Sequence, residues 1–196
     1  APQASAAAQT TLPTVATPVP ERPWHVVILN DSDPTVPAFV AIDRAMRASL
    51  MAPGRHPVDS FAEALDVLRF PGSQIENELV ALLAKKYAAM HVDAVVTFGP
   101  GAFEFVERHR SRLWPEARVL YMGVPIELVR DRQLAPTTTG IPIQHDLGGM
   151  ADLALSLRPV TRRLIVISGS GDFDRTMARL ARKQLEPYAS RLTVEY

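Results

Sequence analysis

Residues 93–123 read DAVVTFGPGAFEFVERHRSRLWPEARVLYMG and decide the fold class. Ala94 to Phe98 is an apolar, β-branched run, too short for a helix and bounded by turn residues, which predicts a buried strand. After Gly99-Pro100-Gly101 the apolar residues recur at helical spacing. Trp114-Pro115 ends this helix, because proline disfavours helical geometry in the residue before it. Arg118 to Met122 is again strand-like, so the stretch predicts a βαβ unit with two parallel strands.

The overall composition excludes several classes of protein. The chain has 196 residues, 21 basic and 21 acidic side chains, and no cysteine. A neutral chain without a basic stripe argues against a nucleic acid partner. The lack of cysteine excludes disulfides, thiolate metal sites and a thiol nucleophile. No run approaches the roughly 18 apolar residues that cross a bilayer, so any membrane contact is expected only through regions outside this chain.

The first 23 residues differ from the rest of the chain. They are almost entirely Ala, Pro, Thr, Gln and Val, a composition that predicts a flexible, partly extended leader. A start at Ala1 is typical of a secreted protein after signal-peptide removal, and equally of a chosen domain boundary. Export is the interpretation that we favour.

The remaining chain alternates between strand and helix patterns. A Ser73 to Glu76 capping box and Asp146 predict two helix starts. Extended or strand patterns cover 24–29, 57–61, 141–144, 164–167 and a segment from 192, while helix patterns follow Pro37, Ser73, Asp146 and either Asp172 or Asp174. Such alternation predicts an α/β fold with a mostly parallel, doubly wound sheet.

The predicted topology places a candidate binding site at one edge of that sheet. If the first four strands take the order 2-1-3-4, the strand order reverses between the first and third, where ligands bind in open α/β sheets. The loops there are Asn30-Asp31-Ser32-Asp33-Pro34 and Gly99-Pro100-Gly101-Ala102. Side-chain acceptors and helix-start amides together suit a small polar organic ligand. Ordinary turn and capping chemistry explains the same residues equally well.

Several more specific motifs are incomplete, because a required residue is missing from each. Glu104 and Asp174 stand where a dinucleotide fingerprint needs a third small residue. Asp31 and Asp33 resemble the acidic pair of a response-regulator receiver, but Gly99 occupies the phospho-acceptor position. We therefore expect neither nucleotide binding nor phosphoryl transfer.

No catalytic or metal site is predicted. Ser168 and Ser170 follow a strand and open a helix, as a nucleophile does, but Ser168 replaces the first glycine of the G-x-S-x-G pattern. The five histidines have no metal-ligand spacing. We expect no cofactor, and a turn with a helix cap is the simpler interpretation of the two serines.

Several strings resemble one family. The runs 65–71 and 83–87, Asp93 to Ala102, Trp114-Pro115 with 118–124, and 140–159 resemble extracytoplasmic sensor regions of bacterial histidine kinases. Those regions are similar to ABC-transporter substrate-binding proteins of the type I periplasmic-binding-protein fold. The resemblance covers Trp24 to Tyr196 and implies two α/β lobes, here a first lobe at 24–139 and the start of a second at 140–196. A full second lobe of that family is longer than this segment.

The resemblance also implies a location, a mechanism and a set of site residues. It implies a periplasmic domain that binds a small molecule and signals by lobe closure, and it is compatible with a tether to the inner membrane in the full-length protein. Besides the loops above, Gly123, Gln144, His145, Ser168 and Gly169 would contact the ligand. Alternatives left open are a soluble ABC-transporter binding protein, a small α/β hydrolase using Ser168 or Ser170, and a structural or dimerisation module. A homodimer is compatible with each.

Overall fold

The structure is a computed structural model that describes residues 22–196, apart from the side chains at positions 172 and 173. The predicted leader therefore lies mostly outside the described residues. The elements follow in the order β1 (Trp24–Asn30), α1 (Pro37–Leu50), β2 (Val58–Ala64), α2 (Ser73–Lys86), β3 (Ala94–Phe98), α3 (Pro100–Leu113), β4 (Arg118–Pro125), α4 (Ile126–Val129), β5 (Thr138–Ile143), α5 (Leu147–Leu157), β6 (Arg163–Ile165), α6 (Asp172–Leu185), a 3-10 turn (Glu186–Ser190) and β7 (Thr193–Glu195).

The main sheet has the strand order β2-β1-β3-β4-β5. The pairs β1–β2, β1–β3 and β3–β4 are all parallel. The predicted α/β class is confirmed, and so is the 2-1-3-4 order of the first four strands. Strand order consequently reverses between β1 and β3.

The sheet buries side chains on both faces, as a doubly wound fold requires. Val27 and Leu29 of β1 pack in a cluster with residues of α2 and α3. Val26 and Ile28, which alternate with them, pack in a second cluster that includes Phe39 and other side chains of α1. A continuous apolar strand such as β1 is typical of a parallel strand that is covered on both sides.

The chain divides into two compact units. Unit 1 contains the described residues up to Met122 together with Leu134–Ile141, and unit 2 contains Gly123–Gln133 and Pro142–Tyr196. Residues 123–133, expected in the first lobe, thus belong to unit 2. Unit 2 has a small core of its own around Ala151, Ala181 and Leu185. The two-stranded sheet of this unit pairs β6 with β7 in parallel.

The predicted capping box at the start of α2 is wrong in its contacts. Helix α2 does begin at Ser73, but Gly72 is its N-cap and no side chain caps it. The Glu76 carboxylate instead accepts hydrogen bonds from α3, from Arg108 Nε at 2.9 Å and His109 Nε2 at 2.5 Å. A tertiary partner has therefore displaced the local capping interaction that the sequence pattern favoured.

The Glu76 contacts predict how stability responds to acid. Burial raises the pKa of Glu76, but the hydrogen bonds from Arg108 and His109 outweigh burial and leave that pKa below its usual value. A carboxyl with a lowered folded-state pKa stabilises the fold above its unfolded-state pKa, and that contribution disappears as pH falls through the folded-state value. We expect Glu76→Gln to lose less stability than the parent between about pH 5 and pH 3. Urea unfolding at each pH measures this, and parallel pH profiles would contradict it.

Candidate functional site

The carboxyl ends of the central strands are held together by backbone hydrogen bonds. Asp31 N donates to Phe98 O at 3.3 Å, Gly99 N to Met122 O at 2.9 Å, and Leu65 N to Asn30 O at 2.8 Å. The loops after β1, β2 and β3 consequently meet at one edge of unit 1, which we call the switch edge and define as residues 30–35, 65–70 and 99–102. The sequence predicted that the first and third of these loops would converge.

The side chain of Asp31 lies at the start of α3. Its Oδ2 accepts a hydrogen bond from Gly101 N at 3.0 Å, and only 1% of the residue is exposed. Gly99, just before the helix, has φ of +89°. A Cβ atom at Gly99 would lie 2.0 Å from Asp31 Oδ2, so glycine is required both for this backbone conformation and for the approach of the carboxylate.

The buried position of Asp31 has a measurable electrostatic consequence. Burial raises the pKa of Asp31, and this outweighs the hydrogen bonds from Gly101 and Ser32, which lower it. When the folded-state pKa is raised, ionisation is less favourable in the folded protein, so the free energy of unfolding falls as pH rises from the unfolded-state value through the folded-state value. This sign is opposite to that of Glu76.

We expect the Gly101 amide resonance to report this titration. Because Gly101 N–H donates to the carboxylate, its chemical shift should follow the charge of Asp31, with a midpoint above the ordinary aspartate value. Asp31→Asn should remove the corresponding fall in unfolding free energy with rising pH. A Gly101 midpoint at or below the ordinary aspartate pKa would contradict the burial argument.

Asp33 serves the turn before α1. Its Oδ1 accepts from Thr35 N at 2.8 Å and from Thr35 Oγ1 at 2.6 Å. These two bonds hold the pKa of Asp33 below its usual value, so this carboxylate is ionised at neutral pH. The side chain is partly exposed, as is Ser32, while Asn30 is 7% exposed. Ser32 and Asp33 therefore present polar atoms to solvent.

The loop after β2 completes the switch edge and was not assigned from sequence. Its Leu68 N donates to Asp31 O at 3.4 Å, and Asp66 adopts φ of +55°, which is rare for a residue with a side chain. Arg69 Nε pairs with Asp66 Oδ1 at 2.6 Å. Pro71-Gly72 marks a turn at the end of this loop, but it gives no sign of the positive φ at Asp66. The arginine of the loop and two exposed apolar side chains, Leu68 and Phe70, are additions to the predicted site.

The remaining predicted residues of unit 1 divide into exposed and buried positions. Pro100 occupies the first turn of α3 and is partly exposed. Ala102 is 0% exposed and belongs to the core formed with α2. Its side chain therefore stabilises α3 against the sheet and does not face solvent in this structure.

The predicted site residues of unit 2 lie near helix starts whose amides already have partners. His145 O accepts from Gln184 Nε2 at 2.8 Å, and Gln184 Oε1 accepts from Leu147 N at 2.7 Å. Asp146 caps α5 by accepting from Gly149 N at 2.8 Å, as the sequence predicted. Gln184 was missed, because a glutamine inside a distant helix carries no local sign of this role.

The structure also describes the other four predicted positions of unit 2. Gln144 is exposed just before α5, and Ser168 and Gly169 lie exposed in the loop after β6. Gly123, where the chain enters unit 2, has φ of +68°. Asp174 Oδ2 accepts from Gly171 N at 3.1 Å, which agrees with the helix-cap interpretation of this loop.

The described residues do not assemble a catalytic or metal-binding group. Within residues 22–196, no hydrogen bond joins Ser168 or Ser170 to a histidine, and no group of three His, Cys, Asp or Glu side chains suits a metal ion. His109 pairs with Glu76, and His25 Nδ1 lies 2.9 Å from His91 O. None of the helices described over residues 22–196 is both long and apolar enough to span a membrane.

Comparisons with known proteins give only distant structural likeness. Neither the protein families nor the curated proteins yield a match. The C-domain of Haemophilus influenzae LpoA (YraM), described as a regulator of PBP1A, is 12% identical with a TM-score of 0.40, over 88% of this chain and 49% of that one. Full-length LpoA from the same organism is 12% identical with a TM-score of 0.39, over 90% of this chain and 30% of that one. The chain thus spans half or less of the length of these two structures.

Proposed function

We propose that this chain is a periplasmic ligand-binding domain of a signalling protein of the histidine kinase type. The observation that carries the proposal is the convergence of polar loops at the switch edge. In open α/β sheets, the carboxyl ends of strands at an order reversal are the usual ligand position. The switch edge lies at the reversal between β1 and β3 and presents Ser32, Asp33 and Arg69.

The proposed ligand is a small polar organic molecule. It would gain hydrogen bonds from exposed polar atoms of the switch edge and apolar contact from Leu68 and Phe70. Signalling would follow from closure, in which the ligand favours one conformation through contacts made only in that conformation. The periplasmic location, an inner-membrane tether outside this chain, and the histidine kinase output belong to the same proposal and come from the sequence resemblance.

A soluble ABC-transporter binding protein is the alternative within the same class. It would use the same edge and the same ligand chemistry, and the domain that accompanies the chain in its full-length protein distinguishes the two. The hydrolase alternative has no specific observation in its favour, since neither serine is bonded to a histidine in the described residues.

A thermal-shift screen against amino acids, sugars, organic acids and nucleosides tests the proposal. A ligand at about 100 times its Kd stabilises the folded state by about 2.7 kcal/mol. For a protein of this size, that corresponds to a rise in Tm of roughly 5 °C or more. The expected result is a dose-dependent rise with one chemical class.

Two matched variants locate the binding. Ser32→Tyr adds bulk at the switch edge and should abolish the shift, while Ser111→Tyr, on an exposed position of α3, should retain it. A shift that survives Ser32→Tyr would place the ligand elsewhere, and a flat screen together with hydrolysis of an ester panel would replace the proposal by the enzyme.

A further inference from the structure

The start of α3 is occupied by an acidic side chain of the protein itself. Amides at the start of a helix attract negative groups, because the helix dipole and the unpaired N–H groups both favour them. Here the Asp31 carboxylate takes that position, 3.0 Å from Gly101 N, and 1% of the residue is exposed. The α3 amides therefore do not offer the free anion cradle that their position in the fold suggests.

The space beside Gly101 is filled. A Cβ atom at Gly101 would meet Asp31 Cβ at 2.9 Å, Val67 Cγ2 at 3.0 Å and Leu68 Cδ2 at 3.3 Å. For a Cβ atom at Gly99, the three nearest atoms all belong to the Asp31 carboxylate. A phosphate or carboxylate group of a ligand cannot reach the Gly101 amide unless Asp31 moves away.

The other charges of the switch edge also disfavour an anion. Asp33 is a second carboxylate on the same loop, partly exposed and bonded to Thr35. Arg69 is the nearby cation, and its Nε is paired with Asp66 at 2.6 Å. An incoming anion would meet two acidic side chains, and the arginine already has a partner.

We propose that Asp31 is the specificity-determining residue of the switch edge: it excludes anionic ligand groups and restricts the site to neutral or cationic ligands that donate hydrogen bonds. This inference rests on the proposed function, since it assigns the ligand class of the same site. Ser32 and Asp33 supply the acceptors for such donors.

Inorganic phosphate tests the exclusion without knowledge of the natural ligand. The amide resonance of Gly101 is followed while phosphate replaces chloride at constant ionic strength, up to about 50 mM, so that general screening stays fixed. The parent protein should show no saturable change at this amide. Asp31→Ala should show saturable binding there, at least about tenfold tighter than any residual effect in the parent.

A charge control and a substitute variant accompany the phosphate titration. Asp59→Ala removes one acidic charge at an exposed position of β2 and should behave as the parent. If Asp31→Ala does not fold, Asp31→Ser is used in its place, because serine also vacates the position of the carboxylate beside Gly101. Saturable phosphate binding at Gly101 in the parent overturns the proposal, and so does its absence in a folded Asp31 variant.

A second screen distinguishes failure of the ligand-binding function from failure of the proposal on Asp31. The thermal-shift screen is repeated with butylamine, butanol and butyrate, which share one carbon chain and differ in charge. Stabilisation by the amine or the alcohol but not by butyrate supports the proposal, whereas stabilisation by butyrate overturns it. If no organic compound in any screen stabilises the protein, the ligand-binding function fails, while the phosphate titration still decides what Asp31 does.

Discussion

Gly99→Ala is expected to destabilise unit 1 by about 2–5 kcal/mol, the sum of backbone strain and steric overlap. The strain arises because Gly99 has φ of +89°, a conformation that side chains disfavour. The overlap arises because the new methyl group would lie 2.0 Å from Asp31 Oδ2. Urea unfolding monitored by circular dichroism measures the loss.

A second glycine separates the two causes. Gly54 also has a positive φ, +78°, but a Cβ atom there would meet nothing within 4 Å. Gly54→Ala should therefore cost only the strain, about 1–2 kcal/mol. In an Asp31→Ala background the excess cost of Gly99→Ala should largely disappear, because contacting residues are not additive. Equal costs for Gly54→Ala and Gly99→Ala would show that Asp31 does not occupy the position described.

Phe98→Ala is expected to cost about 3–5 kcal/mol of unfolding free energy. Phe98 is the last residue of β3, is 1% exposed, and stacks on Phe39 of α1 with ring centroids 6.2 Å apart. Its removal would leave a cavity between the sheet and α1, immediately before Gly99. The denaturant midpoint should fall with an unchanged m-value, which is the signature of lost stability without a change in the denatured state.

An exposed phenylalanine provides the matched control. Phe70 is 57% exposed in the loop after β2, so Phe70→Ala should change the unfolding free energy by less than about 1 kcal/mol. A similar loss for both variants would mean that Phe98 is not the buried contact that joins α1 to the sheet.

The sequence was most informative where the pattern is local and apolar. Residues 94–98 were predicted as a strand and form β3 with the same bounds, because a short β-branched run between turns allows few alternatives. The end of α3 before Trp114 followed from proline in the same way. Helix α4 and the long loop after β2 were not predicted, because neither segment is long enough to show a periodic pattern of apolar residues.

The candidate site was predictable only as far as topology determines it. Placing Asp31 and Gly99 together required nothing beyond strand order, and the structure brings them into direct contact. The burial of Asp31 depends on how the β2–α2 loop folds over it, through Val67 and Leu68, and a single sequence does not encode that packing in a readable pattern. The roles of Gln184 and Glu76 likewise depend on partners more than 30 positions away.

The strand β6 has a consequence for how the protein behaves in concentrated solution. In the described part of unit 2, β7 is the only strand neighbour of β6. Ile165, the last residue of β6, is 52% exposed, and Ile167, two residues further on, is 91% exposed. Beside it lies an apolar groove of about 340 Å³ that Met150 and Ala154 help to line. A strand edge with apolar side chains is a template for intermolecular strand addition, and charged neighbours such as Arg162 and Arg163 limit it. Self-association in concentrated solution is therefore expected to involve this edge.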